Sequence, residues 1–415
     1  MTINIIDLFS GAGGLTEGFR NPKINIISHV EMDSDACETL KLRDSYYYFK
    51  QIGKMNFYKD FLNKKISLDH LLNKVPTSIL EKTLNYEISN NSINEIFQKI
   101  NQQIHNKKIN GIIGGPPCQA YSTIGRARNE KIKNKDKRIY LYKYYIQFLE
   151  EYNPDFFIFE NVKGLKSFKD IDGNKLFPKI LKDFKNIDES DPYNIRFKII
   201  DASEYGVPQK RNRLFIFGCK QNIQFDFFNE LENFKENGPT INQLFIDLPK
   251  LSAGETNNNY SNLSPNKFVT KFLRDTKLPL SQNISRPNNA NDLDIYRRVV
   301  HAKNNGKNLK YSDLPDKLKT HKKTNIFLDR FKALDGNGYS HTVVAHISKD
   351  GHYYIHPDIS QNRSITVREA ARIQTFPDDY YFEHSRTAAF KQIGNAVPPY
   401  LSKKICSTIL DNLYS

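Results

Sequence analysis

Ile3-Asn4-Ile5-Ile6-Asp7-Leu8-Phe9-Ser10-Gly11-Ala12-Gly13-Gly14-Leu15 opens the chain with a short apolar run and a glycine-rich turn, followed by the helix-compatible Thr16-Glu17-Gly18-Phe19. A nearly continuous apolar run of this length reads as a strand buried on both faces of a parallel sheet. Glycines let the backbone turn sharply and come close to a ligand. Strand, glycine turn and helix together make a βα unit that cradles a nucleotide-like molecule. A second apolar strand, Ile24 to Val30, ends in Glu31, an acid placed to accept hydrogen bonds from ribose hydroxyls. Either half alone reads equally as a tight turn or a solvated acid; together they point to an adenosine-containing cofactor. The spacing is Gly11-x-Gly13-Gly14, not G-x-G-x-x-G, and Asp7 stands at the strand's end. A pyrophosphate needs a clear approach to the helix N-terminus. An anion there instead favours an amino group or sulfonium, hence S-adenosylmethionine over a nicotinamide dinucleotide.

The second informative stretch is Ile112-Ile113-Gly114-Gly115-Pro116-Pro117-Cys118-Gln119-Ala120-Tyr121-Ser122. An apolar run stops at two glycines and two prolines, which turn the backbone and fix its direction. The thiol that follows is a candidate nucleophile, although a free cysteine is as often a small buried apolar residue. Asp155-Phe156-Phe157-Ile158-Phe159 is another buried strand and ends in Glu160-Asn161-Val162, in the crevice where open α/β sheets bind ligands. Tyr193 to Ile200 and Arg213 to Phe217 read as two more strands. Arg211 and Arg213, at i and i+2, share one face of the extended segment between them.

The chain has 415 residues, long enough for two domains, a net charge of +15 and a pI near 9.3. An excess of Lys and Arg on this scale points to a polyanionic partner, with nucleic acid the leading case. The alternative is a solvated lysine-rich surface. Seven basic residues between Arg126 and Arg138, against two acids, form a loop suited to phosphates. No apolar run approaches a membrane span, and Met1-Thr2-Ile3-Asn4 does not begin a secretory signal. Cys37, Cys118, Cys219 and Cys406 are scattered without a C-x-x-C pair, which argues against zinc or disulfides and for a reducing cytosol.

Residues 50–108 read as a polar insertion holding one amphipathic helix, with Ile93, Ile96, Phe97, Ile100 and Ile104 on one face and Ser92 and Glu95 as its capping box. Leu141, Tyr144, Tyr145, Phe148 and Leu149 share a face of a further helix. From Cys219 to about Ser340 the chain is rich in Asn, Lys and Pro; clusters such as Phe225, Phe227 and Phe228 favour a folded domain over a disordered insertion. Thr366-Val367-Arg368-Glu369 is a second capping box, and a last helix buries Leu401, Ile405 and Ile409.

Taken in order, these motifs resemble the cytosine-C5 DNA methyltransferases, bacterial and of the restriction-modification type, over most of the chain. Asp7 to Gly14 looks like the family's cofactor loop, Glu31-Met32-Asp33 its ribose acid, and Gly115-Pro116-Pro117-Cys118-Gln119 its catalytic motif. Glu160-Asn161-Val162 and Gln209-Lys210-Arg211-Asn212-Arg213 are similar to the next two; Arg368 to Pro377 and Gly394-Asn395-Ala396-Val397-Pro398 close the set. The resemblance implies an α/β fold: a Rossmann-like catalytic domain (1–219 with 386–415), with a mostly parallel sheet and helices on both faces, plus a smaller, loop-rich target-recognition domain (220–385). It implies S-adenosylmethionine-dependent methylation of cytosine C5 in duplex DNA by base flipping. Cys118 would attack C6, Glu160 act as acid at N3, Arg213 contact O2 and Arg211 hold the catalytic carboxylate and loop. Cofactor contacts would come from Phe9, Gly11, Gly13, Gly14, Glu31, Met32, Pro117 and Asn395, with Gln119, Ser122, Arg126 and Arg128 on DNA and no metal. The sequence departs from the family after the third strand, where only Asn56-Phe57 or Asp60 offers an adenine contact. His341-Thr342-Val343 is a weak match to the pair expected in the recognition region. A cytoplasmic monomer protecting DNA from a cognate endonuclease, without a stable complex, is the implied setting. A tRNA cytosine methyltransferase and an inactive DNA-binding module are the alternatives.

Overall fold

The opening run forms β1 (Ile3–Leu8), buried along its whole length, in a computed structural model that describes residues 2–105, 107–117, 121, 137–223, 225–320 and 326–414. α1 (Gly14–Gly18) follows the glycine turn, and β2 (Ile24–Glu31) returns parallel to β1. α2 (Ser34–Gln51) starts at Asp33, whose side chain caps the Asp35 N–H. Three short helices come next, α3 (Met55–Leu62), α4 (Leu68–Leu72) and α5 (Thr77–Leu80), then β3 (Thr83–Asn85), α6 (Ile93–Ile104) and β4 (Gly111–Gly114). α7 (Tyr142–Tyr152), β5 (Phe156–Val162), α8 (Leu176–Lys185), β6 (Tyr193–Asp201), the two-residue β7 (Gln209–Lys210) and β8 (Asn212–Lys220) complete the first half. Beyond it lie α9 (Phe227–Glu232), α10 (Ile241–Phe245), α11 (Ala290–Asn304), β9 (Ser340–His341), α12 (Val367–Ile373), α13 (Arg386–Asn395) and α14 (Pro399–Leu413).

Among the described residues seven strands make one sheet in the order β3-β2-β1-β4-β5-β8-β6, parallel except for β8. Strand order reverses between β1 and β4, and ligands of such sheets bind beyond the strand ends at that switch point. β5 shows why its first four positions, Phe156 to Phe159, are all apolar. Phe157 and Phe159 pack with Tyr145, Phe148, Ile180 and Phe184 on one face; Phe156 and Ile158 pack with Leu15, Leu401 and Ile405 on the other. Each such Phe contributes roughly 1.5–3 kcal/mol by leaving water.

Two expectations for residues 50–108 are corrected. The region is not an insertion with one covering helix, because β3 within it extends the sheet, pairing His29 with Thr83 and Glu31 with Asn85. Three residues of mixed polarity carry no periodic signal. Ile93, Ile96, Ile100 and Ile104 of α6 are buried as read, but the capping box at Ser92 does not form. The Ser92 hydroxyl turns to the Glu87 carbonyl, and Glu95 accepts from the Tyr86 hydroxyl, so nearer partners take both side chains. At Thr366 the box is complete.

The described residues of 220–385 include a core of their own around Tyr296, Val300, Tyr311, Phe331 and Ile355. The segment's ends pack elsewhere. Phe227 and Leu231 of α9 sit with Leu401 under the sheet, and Val367 and Ala370 of α12 share a cluster with Ala12 and Ile393.

Candidate active site

The turn after β1 is shaped for close approach. Phe9, Gly11 and Gly13 hold left-handed φ angles of 55°, 53° and 75°. A phenylalanine kept in that region stores strain of the kind that clusters at ligand sites. A Cβ on Gly13 would stand 2.8 Å from Leu40 Cδ2, and one on Gly14 would strike the Val397 carbonyl. The N-terminus of α1 and the Ala396-Val397 turn are therefore in direct contact. Glu31 closes over the loop: Oε2 accepts from the Gly11 N–H at 2.7 Å, and Oε1 from Met32 (2.9 Å) and Asp33 (2.8 Å). Burial pushes its carboxyl up, against the pull of those N–H donors. A carboxylate short of water with lone pairs to spare suits the hydroxyls of a ribose. Met32 beside it is 58% exposed and offers an apolar flank to a flat heterocycle. Asn395, at the end of α13, is exposed, while the carbonyls of Gly394 and Ala396 on either side are held from behind by Arg211. The Glu31 carboxylate, the apolar flank of Met32 and a turn crowded at Gly13 and Gly14 fit S-adenosylmethionine.

Asp7 does not contribute in the way expected. Its carboxylate is buried, accepts a hydrogen bond from the Thr16 hydroxyl and lies 3.8 Å from His29 Nδ1. Thr16 on α1 and His29 on β2 both face it, so the charge is spent inside the fold. The third-strand candidates Asn56, Phe57 and Asp60 lie on α3, well before the strand itself. The polar residue that ends β3 is Asn85, whose Nδ2 donates to the carbonyls of Glu31 (3.1 Å) and Met32 (3.0 Å). Sequence reasoning missed it together with its strand; the only local cue is a polar residue closing Thr83-Leu84.

At the end of β4, Gly115-Pro116-Pro117 runs across the end of β5. A Cβ on Gly115 would come within 2.7 Å of Glu160 Oε2, and Asn161 Nδ2 donates to the Pro116 carbonyl at 3.2 Å. The loop is thus tied to the strand that carries the acid. Glu160 pairs with Arg213 Nε at 3.0 Å. Burial raises its carboxyl, with Arg213 and Arg211 opposing. The net effect is an acid able to hold a proton closer to neutrality than an ordinary glutamate.

Arg211 and Arg213 divide the labour. Arg213 touches the carboxylate. Arg211 is buried and donates to the carbonyls of Val343 (2.6 Å), Ala396 (2.7 Å) and Gly394 (3.3 Å). It thus braces two backbone segments, at Val343 and at the 394–396 turn, and its charge acts on the acid. Gln209 and Gln374 complete the brace: Gln209 Nε2 donates to Gln374 Oε1 (2.9 Å), and Gln374 Nε2 to the Ile393 carbonyl (2.6 Å). Thr342 joins through its hydroxyl to the Lys210 carbonyl at 2.6 Å.

Cys118, Gln119, Ser122, Arg126 and Arg128 lie outside the described residues; Pro117 immediately precedes them. The other three cysteines are buried, and burial pushes the thiols of Cys37, Cys219 and Cys406 up to about 12, about 11 and about 12. Thiols so raised are inert. Among the described residues no group of His, Cys, Asp and Glu could hold a metal ion, and no helix is long and apolar enough to cross a membrane.

The chain is 37% identical to type II methyltransferase M.Bpa9945I of Bacillus paralicheniformis, over 98% of each protein. It is 28% identical to type II methyltransferase M.AgeI of Thalassovita gelatinovora, over 97% of this chain and 98% of that one. In fold it is similar to an E. coli prophage protein assigned as a DNA modification methyltransferase, with a TM-score of 0.63, 23% identity and both chains covered in full. The C-5 cytosine-specific DNA methylase family matches residues 3–76 and 77–411. A match that runs through both strand-end motifs and on into the closing turn leaves one conclusion: the chain belongs to the C-5 cytosine-specific DNA methylases.

Proposed function

We propose that the protein methylates C5 of one cytosine within a specific duplex sequence, in the cytoplasm, and so shields that DNA from a partner endonuclease of a type II restriction-modification system. The type II names of its relatives support that setting. The observation that carries the residue roles is the placement of Glu160 between Gly115, on the cysteine's loop, and Arg213.

Cytosine C5 is a poor nucleophile. Cys118 Sγ, as thiolate, adds to C6 while Glu160 gives its proton to N3, so the ring's electron density is pushed towards C5. S-adenosylmethionine, when bound, would supply C5 with an electrophilic methyl group and would leave as S-adenosylhomocysteine as its S–CH3 bond breaks. Water then removes the C5 proton, Sγ leaves C6, and the N3 proton returns to Glu160. Arg213 orients Glu160 and contacts cytosine O2, and Arg211 keeps both from moving by fixing the backbone behind them. Phe9, Gly11, Gly13, Gly14, Glu31, Met32, Pro117 and Asn395 line the cofactor's path. None of these groups can reach a stacked base, so the cytosine is flipped out, with Gln119, Ser122, Arg126 and Arg128 holding the DNA. Residues 1–219 with 386–415 act as the catalytic domain and 220–385 as the recognition domain of a monomer.

Bisulfite sequencing of DNA from cells expressing the protein tests this directly. One short motif fully protected at a single cytosine is expected; a genome without protected cytosines would overturn the reading.

A further inference from the structure

A cavity of about 570 Å³ shares no lining residue with the crevice around Glu31 and Glu160. It lies between the end of α1, the second half of α2, the segment 270–276 and the start of α14. Two of its three acids are already paired. Glu17 is bound by Arg43 and by the Tyr47 hydroxyl (2.9 Å), and Asp379 by Arg43 (2.7 Å) and the Tyr46 hydroxyl (2.9 Å). Asp275 accepts from the Lys277 N–H at 2.9 Å.

Among the described residues Lys50, Lys271 and Lys403, also in the lining, form no ion pair; Lys271 acts on Glu236, which Lys404 already holds, and the ammonium groups rest over rings. Lys50 stands 5.6 Å from the centre of Tyr46, and Lys271 and Lys403 stand 5.1 Å and 5.3 Å from the same ring, Phe272. Two cations against one ring, neither in an ion pair, favour a bound anion between the elements that carry them. Lys271 and Phe272 lie on a π-turn, Val269–Leu273, closed by the Arg274 N–H on the Val269 carbonyl at 2.8 Å. Such turns frequently mark functional sites.

We propose that this cavity is a second anion site that binds phosphate groups, separate from the methylation crevice. Phosphate can reach it as a free polyphosphate or as the backbone of DNA flanking the target. Tripolyphosphate is titrated calorimetrically into the full chain, with a short cognate duplex and S-adenosylhomocysteine saturating the crevice. Binding by the wild type is expected, weakened about tenfold or more in Lys271→Gln/Lys403→Gln and restored by the Lys→Arg pair, with methylation of the short duplex unchanged. Thermal unfolding shows that the variants fold. If the Gln variant also loses affinity for a long duplex but not a short one, the phosphate is the DNA's; if both affinities hold, it is a free polyphosphate. Tripolyphosphate that fails to bind the wild type, or binds the Gln variant equally well, overturns the proposal.

Discussion

Glu160, largely shielded, and Glu369, fully buried, both stand beside an arginine, and their proton affinities are shifted in opposite directions. Glu369 receives Arg363 in a two-pronged pair, Nη1 on Oε2 at 2.8 Å and Nη2 on Oε1 at 2.7 Å, and the Thr366 N–H adds a third bond at 2.7 Å. Burial alone would raise its carboxyl, but Arg363, His356 and these donors overcome it and hold it at about 2. Glu160 receives one nitrogen of Arg213, and burial wins, so its carboxyl is raised. A saturated pair is a permanent ion used to lock α12 against its surroundings. An unsaturated one leaves a carboxyl group with a raised proton affinity.

The largest expected effects fall on the unsaturated side. Cys118→Ser should leave duplex binding intact and lower single-turnover methylation by on the order of a thousandfold or more, because an alcohol cannot replace the thiolate at C6. Retained methylation would mean that the nucleophile is elsewhere. Glu160→Gln removes the proton donor and should cost roughly a hundred- to ten-thousandfold in rate. Its stability should move the other way. A carboxyl raised on folding costs stability once the pH exceeds its folded value. Glu160→Gln should therefore melt at or above the wild-type temperature at neutral pH, and a clear drop would show that Glu160 is structural.

Much of the crevice was legible because its chemistry sits at strand ends, where the sequence changes abruptly. Phe159 to Glu160, Val30 to Glu31 and Ile113 to Gly114 are each a break from apolar to polar or flexible residues. The brace around Arg211 was far less legible. Arg211 and Arg213 look alike as a pair two residues apart, and only packing sends one to backbone carbonyls 132 to 185 positions away and the other to Glu160. Asp7 misled for the same reason: its partners Thr16 and His29 become neighbours only when β1, β2 and α1 come together. β3 is too short for period-two alternation to register, so Asn85 went unseen with it.

On the saturated side the effects appear in stability. Arg363→Ala strands a buried carboxylate, and removing one partner of such a pair costs about 3–5 kcal/mol. Glu369→Gln tests the sign by pH. A carboxyl lowered on folding, from an unfolded value near 4.5 to about 2, contributes stability that is fully present above 4.5. That contribution fades as the pH falls through about 2. The gap in stability between wild type and Glu369→Gln should be constant from neutrality down to about pH 5 and close progressively below it. A gap independent of pH would mean that Glu369 is not held as an ion.

Thr366→Ala should have the smallest effect, and it separates the cap from the ion pair. The Thr366 hydroxyl oxygen accepts from the Glu369 N–H at 3.0 Å and its proton goes to Asn283 Oδ1 at 2.8 Å, whereas the Glu369 carboxylate is reached by the Thr366 backbone N–H, which alanine retains. Losing an N-cap side chain costs about 1 kcal/mol. Thr366→Ala should thus lower the melting temperature by a few degrees at most, keep the wild-type rate and keep the same dependence on acid. A rate loss here would show that the end of α12, where Gln374 holds the Ile393 carbonyl, transmits strain to the Asn395 turn, and the division between locked and working glutamates would then be less sharp than the geometry indicates.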